Sequence, residues 1–209
     1  MAQKDVGNKI PIYKLKTTDE VMKYYDEWGI KNKYDQDMVD WNYTGPKETV
    51  ATFWKYAKDK NIKILDAGCG TGLVGIELKK YNYLNIDGMD LSKKLLDLVP
   101  RGFYQNLSQV DLNKTIKIEN NTYDAIMCVG TFTFGHVKPH ALDEFIRISK
   151  NKALICFTIN EGIYEEYGFD KKIEELKKSK SWNVKEFFKS NYIASKDVNA
   201  WLCLAEVIK

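Results

Sequence analysis

Apolar residues change their spacing near residue 60, and the change divides the chain into two parts. Residues 1–16 are polar and without period, which reads as a loose tail. Thr17-Thr18-Asp19-Glu20 then offers an N-cap with acids in a first turn. Val21, Tyr24, Tyr25 and Trp28 follow at helical spacing, and Gly29 closes the run. A second aromatic helix is expected over Asp35–Trp41. Gly45-Pro46 breaks the chain before a third, from Lys47 to about Lys58. The first 60 residues therefore predict a tail and a helical cap.

Beyond them, short apolar runs alternate with helical patterns. Strands are predicted at Ile62–Asp66, Leu84–Met89, Phe103–Leu107, Asp124–Val129 and Ala153–Ile159. Helices are predicted at Leu73–Tyr81, Lys93–Val99, Ala141–Ser149 and Tyr164–Lys178. This alternation argues for βαβ units and a parallel sheet. Runs such as Ala125-Ile126-Met127-Cys128-Val129 suit strands buried on both faces. Two last β-prone segments, Trp182–Ile193 and Trp201–Ile208, are joined by a loop too short for a parallel crossover. They must pair antiparallel. The prediction is an α/β fold: seven strands, mostly parallel, with a C-terminal antiparallel hairpin and an N-terminal helical cap. Residues 1–60 and 61–209 form cap and sheet of one domain.

Composition narrows the function classes. The 209 residues carry 32 basic and 29 acidic side chains, a net charge of +3. That balance gives no reason to expect a nucleic-acid or membrane partner. No stretch approaches the ~20 apolar residues of a membrane span, and the first residues have no apolar signal core. Cys69, Cys128, Cys156 and Cys203 are widely separated and show no metal-ligand spacing. Free thiols in apolar runs fit a reduced, cytoplasmic setting, and no metal site is expected.

The segment Asp66-Ala67-Gly68-Cys69-Gly70-Thr71-Gly72 carries the chemistry. A strand delivers an acid, glycines allow close backbone approach to a ligand, and a helix starts at once. A dinucleotide loop needs glycine at position 73, which is leucine. Asp66 before the loop favours a ligand bearing positive charge over a pyrophosphate. Asp90 stands 20 residues past Gly70, the offset at which an acid meets ribose hydroxyls. Leu91 follows it, and Ser92 suits an N-cap. Asp111-Leu112 places an acid where an adenine amine can donate, with loop capping as the plainer reading.

These motifs resemble those of class I S-adenosylmethionine-dependent methyltransferases over about residues 62–208, with Leu65–Gly72 as the first motif. More narrowly, Tyr123-Asp124-Ala125, Val129–Thr133 and Gly135-His136-Val137 resemble the Williams–Beuren methyltransferase-like family, as do Tyr34-Asp35, Asp37-Met38, Tyr43, Pro46, Tyr164-Glu165 and Gly168-Phe169. The resemblance implies a Rossmann-like sheet and S-adenosylmethionine as cofactor. It implies little about the acceptor.

That acceptor is expected over the end of the fourth strand, at Val129–Val137. Val129-Gly130-Thr131-Phe132 replaces the Asn/Asp-Pro-Pro-aromatic tetrad of enzymes that methylate base amines, so a small-molecule acceptor is expected. His136 is the candidate general base, against a reading as a locally bonded loop histidine. Most cap aromatics read as core; Tyr34 is expected near the cofactor's methionyl end. A cofactor-binding module without turnover and a nicotinamide-dependent reductase are the competing functions.

Overall fold

The computed structural model describes residues 14–15, 17–30 and 33–209, so most of the expected tail lies outside the described residues. The cap contains α1 (Thr18–Trp28), α2 (Lys33–Asp40) and α3 (Gly45–Tyr56). Helix α1 starts in a capping box: the Glu20 N–H donates to Thr17 Oγ1, and the Thr17 N–H donates to the Glu20 carboxylate. Helix α3 takes Pro46 in its first turn and buries Val50 and Phe53 against the sheet.

Next come β1 (Ile64–Ala67), α4 (Leu73–Lys80), β2 (Ile86–Asp90), α5 (Lys93–Leu98), β3 (Asn106–Gln109) and β4 (Tyr123–Phe132). They are followed by α6 (Ala141–Ile148), β5 (Ser149–Asn160), α7 (Phe169–Lys178), β6 (Trp182–Ile193) and β7 (Val198–Val207). The seven strands make one sheet in the order β3-β2-β1-β4-β5-β7-β6. The first five are parallel, and β7 runs antiparallel between β5 and β6. The strand order reverses between β1 and β4, which is where open α/β sheets form a ligand crevice.

Several element bounds differ from the sequence reading: β5 starts at Ser149 rather than Ala153 and β7 at Val198 rather than Trp201, and β3, α7 and β4 differ as well. Strand β3 lies at Asn106–Gln109, not Phe103–Leu107, and its side chains are exposed on a sheet edge. Tyr104 is drawn out of the ladder to pack against Gly72, Gly75 and Gly88. Helix α7 starts at Phe169 because Gly168 adopts a left-handed φ of 79° before it; the expected start at Tyr164 falls in turns. Strand β4 continues beyond Val129 to Phe132, with a register shift against β5 and a left-handed Gly130 at φ 82°. That kink lets one strand end line the crevice and also anchor the core.

The anchor is Phe132, which is 1% exposed and lies 4.9 Å from Phe169, 5.7 Å from Phe157 and 6.2 Å from Phe145 between ring centroids. A separate apolar cluster joins the cap to the C-terminal hairpin through Trp28, Met38, Tyr192, Ile193, Val198 and Ala200. Phe132→Ala should lower unfolding stability by about 3–5 kcal/mol, since it deletes a fully packed ring. Urea unfolding of the variant measures this; a loss under about 1 kcal/mol would show that the four rings are loosely packed.

Candidate functional site

Between β1 and α4 the backbone turns through three left-handed glycines: Gly68 (φ 80°), Gly70 (φ 53°) and Gly72 (φ 96°). A side chain at position 68 would collide with Thr131, whereas one at position 70 would meet no protein atom within 4 Å. Gly70 therefore faces open space. Three contacts hold the turn. The Gly70 N–H donates to Asp90 Oδ2 at 2.8 Å. Thr71 Oγ1 donates to Asp35 Oδ1 at 2.6 Å, tying the loop to α2. From beneath, the Tyr104 hydroxyl donates to Asp66 Oδ2 at 2.6 Å and accepts the Gly75 N–H at 3.1 Å.

Asp66 is completely buried, and its second oxygen, Oδ1, has no hydrogen-bond partner among the described residues. Burial pushes its carboxyl up to about 7, against the lowering effect of the Tyr104 bond and with a small rise from Asp90. Burial also raises Asp90 above the ordinary carboxylate range, partly offset by N–H bonds from Ser92, Gly70 and Leu91.

A cavity opens above this turn. Among the expected residues, Tyr34, Gly68, Gly70, Asp90, Leu91, Asp111, Leu112, Val129 and His136 line it. Asp66, Cys69, Thr71 and Gly72 do not; they sit below or behind the wall and are buried. Asp111 lines the cavity, and its Oδ1 accepts the Asn113 N–H in a local turn, as its plainer reading expected. Met22, Tyr25, Val110 and Asn113 complete much of the wall and were not assigned from sequence, while Gly130 and Gly135 fall in the stretch where the acceptor was expected. Tyr104 was missed because its neighbours read as a strand.

His136 is enclosed, with Nδ1 facing the Phe134 carbonyl at 2.5 Å and Nε2 the Tyr25 hydroxyl at 3.0 Å. The carbonyl only accepts, so Nδ1 carries the proton and Nε2 accepts from Tyr25. Burial pushes the imidazole down to about 4, the Phe134 bond opposing and Lys138 adding. It is neutral at pH 7.

Residues 64–152 match a family model described as a methyltransferase domain. The chain is 32% identical over 141 residues to human methyltransferase-like protein 27, covering 66% of this chain and 56% of that protein. It is 30% identical over 131 residues to the glycine/sarcosine N-methyltransferase of Halorhodospira halochloris, covering 59% of this chain and 47% of that one. The chain thus spans about half the length of these two relatives. A solved SAM dependent methyltransferase from Aquifex aeolicus superposes with a TM-score of 0.56 at 17% identity, over 78% of this chain and 89% of that one; it shows the shared fold.

Sheet order and glycine turn are those of the class I S-adenosylmethionine-dependent methyltransferase fold, and residues 64–152 match a methyltransferase domain. S-adenosylmethionine is the cofactor of the class, and the residues present fit it. The crevice is side-chain-free at Gly70, acids flank it, and the buried Asp66 Oδ1 leaves an unpartnered acceptor beneath it. Among the described residues no helix is long and apolar enough to cross a membrane.

Two substitutions test the turn. Gly70→Ala should fold, at a cost of about 1–2 kcal/mol for its left-handed backbone, yet lose most cofactor affinity because the methyl points into the cavity. Urea unfolding paired with calorimetric titration separates the two effects; full affinity would show that the ligand sits elsewhere. Asp66 gives a pH signature. Its folded value lies above the unfolded 3.8, so its stabilising contribution is complete below that pH and is lost as pH rises through about 7. Relative to wild type, Asp66→Asn should gain stability across this window, by at most about 1.4 kcal/mol per pH unit. Parallel pH–stability curves for the two proteins would contradict the assignment.

Proposed function

We propose that the protein transfers the methyl group of S-adenosylmethionine to a small-molecule acceptor. The observation that carries this reading is the end of β4: Gly130 lines both the cofactor cavity and a second hollow beside it. A donor and an acceptor can thus meet across one peptide, and alignment is the main demand of an in-line displacement.

When bound, the cofactor supplies a methyl group activated by its sulfonium. The chain's residues position it. Asp90 already accepts N–H groups from Gly70 and Ser92, one on each oxygen. Each oxygen keeps a further lone pair, enough for two vicinal ribose hydroxyls. Asp111 offers its carboxylate to the adenine amine, Leu91, Leu112 and Val129 supply apolar walls, and Tyr34 closes the side toward the cap. Asp66, Cys69, Thr71 and Gly72 act through the shape of the turn.

His136 enters this reading as a positioning residue. An imidazole pushed down to about 4, with Nε2 already accepting from Tyr25, is a poor proton acceptor at neutral pH. It holds Tyr25, and with it α1, against the wall of the cavity.

The test is a screen of metabolite extracts with radiolabelled methyl donor, in which label should pass to a small molecule. Binding of the donor with no label transferred to small molecules, or label passing to macromolecules alone, would overturn the proposal. On the cofactor side, Asp90→Ala should weaken donor binding by about 1–3 kcal/mol in calorimetry. Unchanged affinity would mean that the ribose is held by other groups.

A further inference from the structure

Beside the cofactor cavity, and sharing Tyr25, Tyr34 and Gly130 with it, lies a hollow of about 390 Å³. Its walls are mainly rings: Tyr25, Trp28, Tyr34, Trp41, Tyr43 and Tyr192. Tyr25 and Trp28 stack at 20°, and the other ring contacts are crossed. Trp28 meets Tyr34 at 77° with centroids 5.0 Å apart, Trp28 meets Trp41 at 48°, and Tyr43 meets Tyr192 at 83°. Crossed in this way, the rings enclose a space.

Two polar groups make that space attractive to positive charge. The Trp28 indole N–H donates to Asp37 Oδ2 at 2.6 Å, which sets a carboxylate behind the ring and enriches it in electrons. Asp37 also pairs with Lys33, whose side chain is 63% exposed and therefore screened by water. Thr133 lies in the wall, and its buried Oγ1 has no hydrogen-bond partner among the described residues. The described lining includes no Lys, Arg, Asp or Glu. Lys196 Nζ lies 5.3 Å over the Trp41 ring but is not part of the wall, so an acceptor carboxylate would be desolvated with no basic side chain lining it.

We infer that this hollow is the acceptor subsite and that it takes a small organic amine without a carboxylate, held among the rings as an ammonium ion once methylated. The inference rests on the methyl-transfer reading and adds the substrate class. In the reaction the amine lone pair forms the N–CH3 bond while the S–CH3 bond breaks, leaving its electron pair on sulfur. Positive charge passes from sulfur to nitrogen. Any proton on the amine nitrogen passes to solvent before its lone pair attacks. A tertiary amine then ends as a quaternary ammonium, and a secondary amine ends as an ammonium that can release its remaining proton to solvent. The rings therefore face a cation as the product forms, and cation–π attraction favours it.

Choline and its uncharged tert-butyl isostere are suitable probes. Each is titrated into the full chain with S-adenosylhomocysteine present, and binding is read by tryptophan fluorescence and calorimetry. Choline should bind more tightly than the isostere by about three- to thirty-fold, the range of a cation–π contact. Asp37→Asn should reduce that preference, and Trp41→Leu should weaken choline binding, both with S-adenosylmethionine affinity unchanged. Equal binding of the two probes overturns the amine assignment, as does absence of choline binding in a chain that binds S-adenosylmethionine. Either result leaves the methyltransferase reading standing. Failure to bind S-adenosylmethionine sinks both.

Discussion

Much of this structure follows from the need to hold one bare turn of backbone, Gly68–Gly72, in a left-handed path without side chains to lock it. Glycines permit the path but do not enforce it, because they are as free in the unfolded chain as anywhere. Enforcement comes from neighbours. Asp90 takes the Gly70 N–H from one side, Asp35 takes the Thr71 hydroxyl from the cap, and Tyr104 fills the slot beneath. The small residues at Gly75 and Gly88 have the same origin: a Cβ at either would come within 3 Å of Tyr104 or Leu107.

Burying Asp66 under this turn is costly in the free protein, and the cost has a use. A carboxyl raised to about 7 is divided between its neutral and charged forms at neutral pH, so a positively charged ligand above it would favour the charged one. The Tyr104 hydroxyl moderates the cost by bonding one oxygen. Stability and ligand preference are thus set by the same pair of side chains.

The sheet was legible because buried strands and amphipathic helices write their periods directly into the chain. The number of strands and the closing hairpin could be read that way, with β3 placed three residues early, and Thr17–Glu20 offered an N-cap. The cofactor cavity was legible where its residues belong to a local pattern, as with Gly68, Gly70, Asp90 and Asp111. Tyr104 was not, since an aromatic in an apolar run looks like a strand residue until its glycine neighbours are brought beside it. Nor was the bond between His136 and Tyr25, which joins residues 111 positions apart. His136 shows the limit most clearly: its residue type suggests a proton acceptor, while its surroundings keep it neutral and occupied.

Cap and sheet meet at the cavity rim through three side-chain bonds, each to a different loop. Asp26 accepts from Ser92 at 3.2 Å, Asp35 from Thr71 at 2.6 Å, and His136 from Tyr25 at 3.0 Å. Such bonds contribute only about 0.5–1.5 kcal/mol apiece, somewhat more where a charge takes part. These bonds add little to the apolar cluster that seats the cap on the hairpin, so their part is to fix where the rim loops stand rather than to hold the cap in place.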